Sequence, residues 1–454
     1  MNSVRTSDAL VIFGATGDLA YKKIFPALHA LTRRGLLDIP VIGVARSTWD
    51  RERFRERVRE SLDEHGVFDK QAFQQLSSRL DYISGGYDEA GTYRKLREAL
   101  GGSSHPLYYL AIPPSVFDDV VKGLTGSGCG SGARLIVEKP FGRDLASAEA
   151  LNRTLHHCFD ESAVYRIDHY LGKEAVQNLI YFRFANSFLE PIWDRDHIES
   201  VQITMFETLG VEGRGRFYEE VGAIRDVVQN HLLQVAALLA MDHPTRTDSE
   251  SIRDEKMRVF RAMRPLRPED VVRGQFRGYR EEPGVAPDSQ VETFVALRLN
   301  IDTWRWAGVP FYVRAGKQMP VTVTEVIVNL KPPPVAIFDA PARPNYFRFR
   351  LSPDVMISLG ARSKAPGEAM AGQDVELVAR HDSPDEMSAY ERLLGAALKG
   401  DESLFARQDS VLAAWRVVDP VLGRKSPAHI YEPNTWGPEE ADRINLPDRL
   451  KLAL

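Results

Sequence analysis

Short apolar runs alternate with amphipathic stretches over the first third of the chain. Leu10–Phe13, Val41–Ala45, Asp81–Ser84, Leu107–Ile112 and Arg134–Glu138 read as strands, and helical stretches including Arg51–Leu62 and Tyr93–Leu100 separate them. This alternation predicts a parallel, doubly wound sheet over residues 1–165, with a ligand crevice outside the carboxyl ends of its strands. Ala111-Ile-Pro-Pro-Ser115 and Glu138-Lys-Pro140 fall at that crevice. From Arg166 the pattern changes. Gly172 reads as a break, after which Lys173–Phe188 takes helical spacing through Val176, Leu179, Ile180 and Phe184. A further helical stretch runs from about Glu219 to Met241. Val201, Ile203 and Met205 alternate with Gln202 and Thr204, and Val291–Leu299, Phe311–Arg314, Val326–Leu330 and Phe347–Leu351 keep the period of two. Few helices intervene among the later strands, which predicts an α+β domain over residues 166–454 with a large antiparallel sheet. No internal repeat is present, and Gly126–Gly132 and Pro332–Pro334 read as local loops.

Length and composition agree with two domains. A chain of 454 residues exceeds what one core usually serves, and 43% hydrophobic with 27% charged residues is ordinary for a globular enzyme. The net charge of -5 supplies no basic field to recruit nucleic acid or an anionic membrane, so any phosphate-bearing ligand needs a local cationic pocket. Met1–Asp8 is polar, without the apolar stretch of a signal peptide, and the apolar run Leu232–Met241 is too short to span a bilayer. Cys129 and Cys158 lack metal-ligand spacing and suit a reducing compartment, so a cytoplasmic protein with no bound metal is expected.

Two segments carry candidate chemistry. Gly14-Ala-Thr-Gly17-Asp18-Leu19-Ala20 joins the first strand to an amphipathic helix through Ile24, Leu28 and Leu31, the Rossmann-like arrangement that seats a pyrophosphate on a helix N-terminus. The spacing is Gly-x-x-Gly rather than Gly-x-Gly-x-x-Gly. The second strand ends in Arg46-Ser47 rather than in an acidic residue, and an arginine there suits the 2′-phosphate of NADP. Lys22 and Lys23 add positive charge nearby or are solvated helix lysines. The second segment, Arg166-Ile-Asp-His-Tyr-Leu-Gly-Lys-Glu174, concentrates a carboxylate, an imidazole, a phenol and an ammonium in nine positions with neither strand nor helix patterning. His169, Tyr170 and Lys173 would cluster at a helix N-terminus, which favours an anion such as phosphate.

With these residues the chain resembles the glucose-6-phosphate dehydrogenase family. The match rests on Gly14–Ala20, Glu138–Gly142, Arg166–Glu174, Gly213–Gly215, Arg225–Gln234 and Arg314–Lys317, in the family's order along nearly the whole chain. The resemblance implies NADP-linked oxidation of glucose 6-phosphate to 6-phosphoglucono-δ-lactone by a homodimer or homotetramer that buries the large sheet. It implies His231 as the base and Asp168 as the carboxylate that steadies it. It further implies Asp226 and Glu207 at the sugar hydroxyls, with His169, Tyr170, Lys173 and Lys317 binding the substrate and its phosphate. Lys139 would bridge cofactor and substrate, and Gly14, Thr16, Gly17, Asp18, Leu19 and Arg46 would hold the cofactor. Family members often carry a basic residue five positions beyond the lysine matching Lys317; here it is Thr322. The same segment lacks the basic cluster of a second, structural NADP site, so none is expected.

Two other readings stand beside this one. A sugar oxidoreductase of the broader class with a dinucleotide domain accounts for Glu138-Lys-Pro140 but not for Arg166–Glu174. A catalytically silent NADP-binding regulator needs the nucleotide pocket but not Asp168, His231, Lys139 and Lys173 together.

Overall fold

The computed structural model describes residues 6–66, 68–335, 337–338, 344–368, 370–380, 386–423 and 426–444, so part of the polar N-terminal segment lies outside the described residues. The chain forms two compact units: Met1–Glu174 with Thr245–Arg253 and Glu386–Leu412, and Ala175–Pro244 with Asp254–Asp385 and Ala413–Leu454. Among the described residues, no helix is long and apolar enough to cross a membrane.

The first unit holds a six-stranded parallel sheet: β1 (Ala9–Phe13), β2 (Val41–Ala45), β3 (Leu80–Ser84), β4 (Pro106–Leu110), β5 (Arg134–Glu138) and β6 (Val164–Ile167). Its order, β3-β2-β1-β4-β5-β6, is that of a doubly wound dinucleotide-binding sheet, whose direction reverses between β1 and β4. Every residue of β1, β2 and β4 is buried, as expected when helices cover both faces of a parallel sheet. One core joins Leu10 and Ile12 of β1 to Leu28 and Leu31 of the helix Phe25–Arg33, and to Leu393, Leu394 and Ala397 of the helix Ala389–Lys399. The five expected strands lie within one or two residues of their predicted ends. The sixth, β6, was not legible, because it is four residues long and carries Arg166. That guanidinium is fully buried on Glu161 (2.8 and 2.9 Å) and Asn152 (2.9 Å), so a charge sits where a strand pattern requires an apolar residue.

The second unit holds a nine-stranded sheet: β7 (Ile198–Phe206), β8 (Val271–Phe276), β9 (Phe294–Leu299), β10 (Phe311–Gly316), β11 (Val323–Leu330), β12 (Tyr346–Ser352), β13 (Met356–Lys364), β14 (Gly372–Arg380) and β15 (Ala428–Tyr431). The order is β14-β13-β12-β11-β7-β10-β9-β8-β15. Most neighbours are antiparallel, as expected, but β7 with β10 and β8 with β15 are parallel. The expected continuous helix over Glu219–Met241 is corrected. The helix Gly215–Ala223 breaks at Gly222 (φ 62°, ψ 176°), a π-helix spans Ile224–Leu232, and an α-helix follows over Leu233–Ala240. Apolar spacing alone does not register a change of winding within a segment this thoroughly buried.

Candidate functional site

In the first unit the glycine turn lies at the point where the sheet order reverses. Gly14 donates its N–H to Val44 O (2.9 Å) and has a φ of 81°; a Cβ there would stand 2.2 Å from Ala111 O, so only glycine lets this turn lie against the end of β4. Ala111 in turn donates to Phe13 O (2.9 Å), which fixes the Ala-Ile-Pro-Pro segment at the crevice. Thr16 and Ser47 share a hydroxyl hydrogen bond of 3.2 Å that ties the turn to the end of β2. Gly17 and Asp18 are exposed, and Thr16 and Leu19 partly so. Asp18 pairs with Lys22 (3.7 Å), so part of the lysine charge expected near the cofactor is neutralised locally. Arg46 is exposed, its guanidinium 5.3 Å above the ring of Tyr87. An open glycine cradle beside an exposed cation fits a dinucleotide carrying an additional phosphate.

Glu138 and Lys139 end the fifth strand of the same sheet. Tyr109 (2.5 Å) and Tyr390 (3.2 Å) both donate to Glu138 Oε1, two partners the sequence did not signal. Burial nevertheless raises the carboxyl above the usual range for glutamate, against the lowering effect of those hydrogen bonds. The Lys139–Pro140 peptide is cis.

The run from Asp168 to Lys173 forms a tight turn before the helix Glu174–Ala185. Asp168 Oδ1 accepts the Tyr170 N–H (3.0 Å), Asp168 O accepts that of Leu171 (2.9 Å), and Tyr170 O accepts that of Lys173 (3.0 Å). These bonds bring three expected phosphate ligands together: the His169 and Tyr170 rings meet edge to face at 5.2 Å, and Lys173 Nζ lies 3.9 Å over the Tyr170 ring. Gly172 lies in the turn just before this helix, where the break was expected. Its requirement is space, since a Cβ would stand 2.8 Å from Ala389 O and 2.9 Å from Leu393 Cγ.

In the second unit a cleft is lined by Glu207, Tyr218, Asp226, Thr293 and Lys317. Glu207 and Lys317 each follow the last residue of a strand, β7 and β10, and the parallel register Phe206↔Gly316 sets them side by side. Their side chains form an ion pair, with Lys317 16% and Glu207 45% exposed. The Lys317 backbone is fixed at both ends, its N–H on Thr293 O (3.0 Å) and its carbonyl under the Tyr431 hydroxyl (2.6 Å). Lys317 Nζ also lies 5.7 Å over the ring of Tyr218. Burial, followed by the nearby Asp226 carboxylate, raises the Tyr218 hydroxyl well above the usual tyrosine range, which keeps it a neutral donor. Tyr218 and Thr293 were not anticipated, since neither stands in a motif.

Asp226 and His231 were expected to face different ways, because residues five apart on an α-helix lie about 140° apart. The π winding reverses that expectation: its i to i+5 hydrogen bonding turns such residues towards one face. His231 is buried, and Asp226 is partly exposed to the cleft. Arg314, three residues before Lys317, is aimed elsewhere: it lines a cavity with Trp436 and Asp442, and burial lowers its guanidinium to about 10. Thr322 is exposed, and its hydroxyl accepts the Thr208 N–H (3.0 Å).

Comparison with known proteins gives two family matches: "Glucose-6-phosphate dehydrogenase, NAD binding domain" over residues 11–178 and "Glucose-6-phosphate dehydrogenase, C-terminal domain" over 180–450. Glucose-6-phosphate 1-dehydrogenase 1 of Mycobacterium tuberculosis is 45% identical over 443 residues, covering 96% of this chain and 94% of that protein. The crystal structure of the Mycobacterium avium glucose-6-phosphate 1-dehydrogenase superposes with a TM-score of 0.91 at 47% identity, covering 97% and 96% of the two chains. A glucose-6-phosphate dehydrogenase solved with glucose 6-phosphate gives 0.90 at 37% identity, covering 98% of each.

Proposed function

The chain belongs to the glucose-6-phosphate dehydrogenase family of NAD(P)-binding oxidoreductases, and from that premise we propose how its residues divide the oxidation of D-glucose 6-phosphate at C1 to 6-phospho-D-glucono-1,5-lactone, the first step of the oxidative pentose phosphate pathway. His231 accepts the C1 hydroxyl proton as hydride leaves the same carbon, a task suited to histidine because the unperturbed pKa of its side chain lies near neutrality. Asp168 holds its tautomer and steadies the imidazolium. Asp226 and Glu207 accept from the sugar hydroxyls, and Lys317, drawn from its pair with Glu207, donates to the substrate. His169, Tyr170 and Lys173 bind the phosphate, and Lys139 stands near the reacting carbon.

Bound NADP supplies the hydride acceptor. Gly14, Thr16, Gly17, Asp18 and Leu19 form the turn that receives its pyrophosphate, and Arg46 takes the 2′-phosphate, a preference for NADP over NAD. In this reading residues 1–165 bind the cofactor, while 166–454 bind substrate, carry the base and assemble a cytoplasmic homodimer or homotetramer. The observation that carries the proposal is the π winding that turns Asp226 and His231 to one face, with Asp226 lining the cleft of Glu207 and Lys317. Turnover of glucose 6-phosphate and of unphosphorylated glucose, each with NADP and NAD, tests it. Glucose 6-phosphate with NADP should be the preferred pair. Equal turnover of both sugars sinks the phosphate site, and no turnover of either leaves the silent-regulator reading.

A further inference from the structure

The π-helix that carries Asp226 and His231 starts at a break, and one buried carboxylate secures that start. Ala223 donates its N–H to Glu292 O (2.9 Å), and Ile224 donates to Glu292 Oε1 (3.1 Å). The second oxygen, Oε2, accepts from Arg273 Nε (3.1 Å) and Nη2 (2.5 Å). Arg273 is itself fixed by donating to Gly423 O (2.7 Å), Ser426 O (2.9 Å) and Gln290 O (2.9 Å). Both side chains are almost fully buried, at 4% and 3% exposure. Gly222 makes the approach possible. A Cβ there would stand 2.6 Å from Glu292 Oε1, and its φ of 62° is one that side chains resist. The next residue, Thr293, lines the cleft and accepts the Lys317 N–H. A single dipeptide thus ties the start of the Asp226–His231 helix to the strand end that bears Lys317.

Neither Glu292 nor Arg273 stands in any motif read from the sequence, and neither lines the cleft. We propose that Glu292, held by Arg273, is a positioning residue for the dehydrogenase reaction: its carboxylate sets the origin of the π-helix and thereby the placement of Asp226 and His231 against the sugar. A carboxylate suits this role because the first N–H groups of a helix lack partners within it and present partial positive charge. The buried guanidinium holds that carboxylate in place through two hydrogen bonds to Oε2. Small displacements of a catalytic group are expensive in rate even when folding survives, so the consequence falls on turnover. The proposal rests on the reading of His231 as the base.

The test compares Glu292→Ala and Glu292→Gln with Val328→Ala, which truncates a fully buried side chain in β11 of the same unit and serves as the control for lost stability, thermal midpoints being measured for all three. Glu292→Ala should lower kcat for glucose 6-phosphate by about ten- to a hundredfold and shift the acidic limb of the kcat/KM pH profile. Glu292→Gln, whose amide oxygen still accepts from Ile224, should recover part of that loss. Val328→Ala should change neither quantity. If Glu292→Ala does not fold, Gly222→Ala carries the test, since it displaces the carboxylate while keeping its partner. The substitution is repeated in a His231→Asn background, where it should cost little more. Loss of equal size in that background, or a kcat and pH limb no different from Val328→Ala, overturns the positioning role. His231→Asn with normal kcat overturns the base reading and this proposal together. An inert Glu292→Ala beside an inactive His231→Asn removes the positioning role alone.

Discussion

Glu207 and Lys317 occupy matching positions, each one residue beyond the end of two strands that run parallel inside a mostly antiparallel sheet. The parallel register places both at one edge, where they pair with each other across the cleft. Thr208, next to Glu207, is anchored by Thr322, the residue that stands where the family resemblance led us to expect a basic side chain. Thr322→Lys removes that anchor, a neutral hydrogen bond of about 0.5–1.5 kcal/mol, and adds a charge-assisted bond to phosphate of about 1.5–3 kcal/mol. The gain exceeds the loss, so KM for glucose 6-phosphate should fall. Thr322→Val, which only removes the anchor, should raise KM by less than about tenfold. Steady-state kinetics on both variants checks the pair, and a rise in both would show that the missing charge is irrelevant.

His231→Asn should lower kcat by about 100- to 10,000-fold with a modest change in KM, the usual share of a general base. Asp168→Asn should act in the same direction. The double variant should lose less than the product of the single effects, because the two residues act on one proton. Near-normal kcat for His231→Asn at neutral pH removes it from the mechanism.

Arg46→Ala should weaken NADP selectively and leave the NAD parameters nearly unchanged, since only NADP carries the 2′-phosphate. Arg46 lies over Tyr87, so Arg46→Lys keeps charge but loses planar stacking and should fall between the two. Equal loss with both cofactors would make Arg46 a structural residue.

Lys173→Ala should raise KM for glucose 6-phosphate by about ten- to a hundredfold, because few charges share the phosphate. Turnover of unphosphorylated glucose should barely move. The ammonium lies over the Tyr170 ring, so Tyr170→Phe, which keeps the ring, tests the hydroxyl separately. Equal damage to both sugars in Lys173→Ala would place the lysine at the reacting carbon.

Glu138 gives a pH prediction. Its folded carboxyl titrates above the unfolded value because of burial, so its neutral form is the one the fold favours. The stability linked to it is fully present below the unfolded glutamate pKa and is lost as pH rises through the raised, folded pKa. Glu138→Gln removes this dependence. The thermal midpoint of the variant relative to the parent should therefore rise with pH across that window and stay flat above it. A relative midpoint that falls with rising pH would mean that the two tyrosine hydrogen bonds, not burial, set the titration.

Sequence alone sufficed for five of the six strands of the first sheet and for the grammar of the second half, and its motifs named most residues of the proposed site. Continuous apolar runs such as Val41–Ala45 can be buried only between covered faces, and the period of two in Val201–Met205 fits only a strand. Gly14 was legible because a turn pressed against a neighbouring backbone excludes every side chain. The tertiary structure decided relationships that no local pattern encodes. The parallel pairing of β7 and β10 depends on which strands meet, and strand alternation is the same for either direction. In an antiparallel pair, the residues after the two strands would lie at opposite edges. The π winding of Ile224–Leu232 likewise leaves no trace in an apolar spacing that a buried α-helix would share. Glu292, an isolated acid by sequence, acquires its place only because Arg273 and the break at Gly222 converge on it from separate segments.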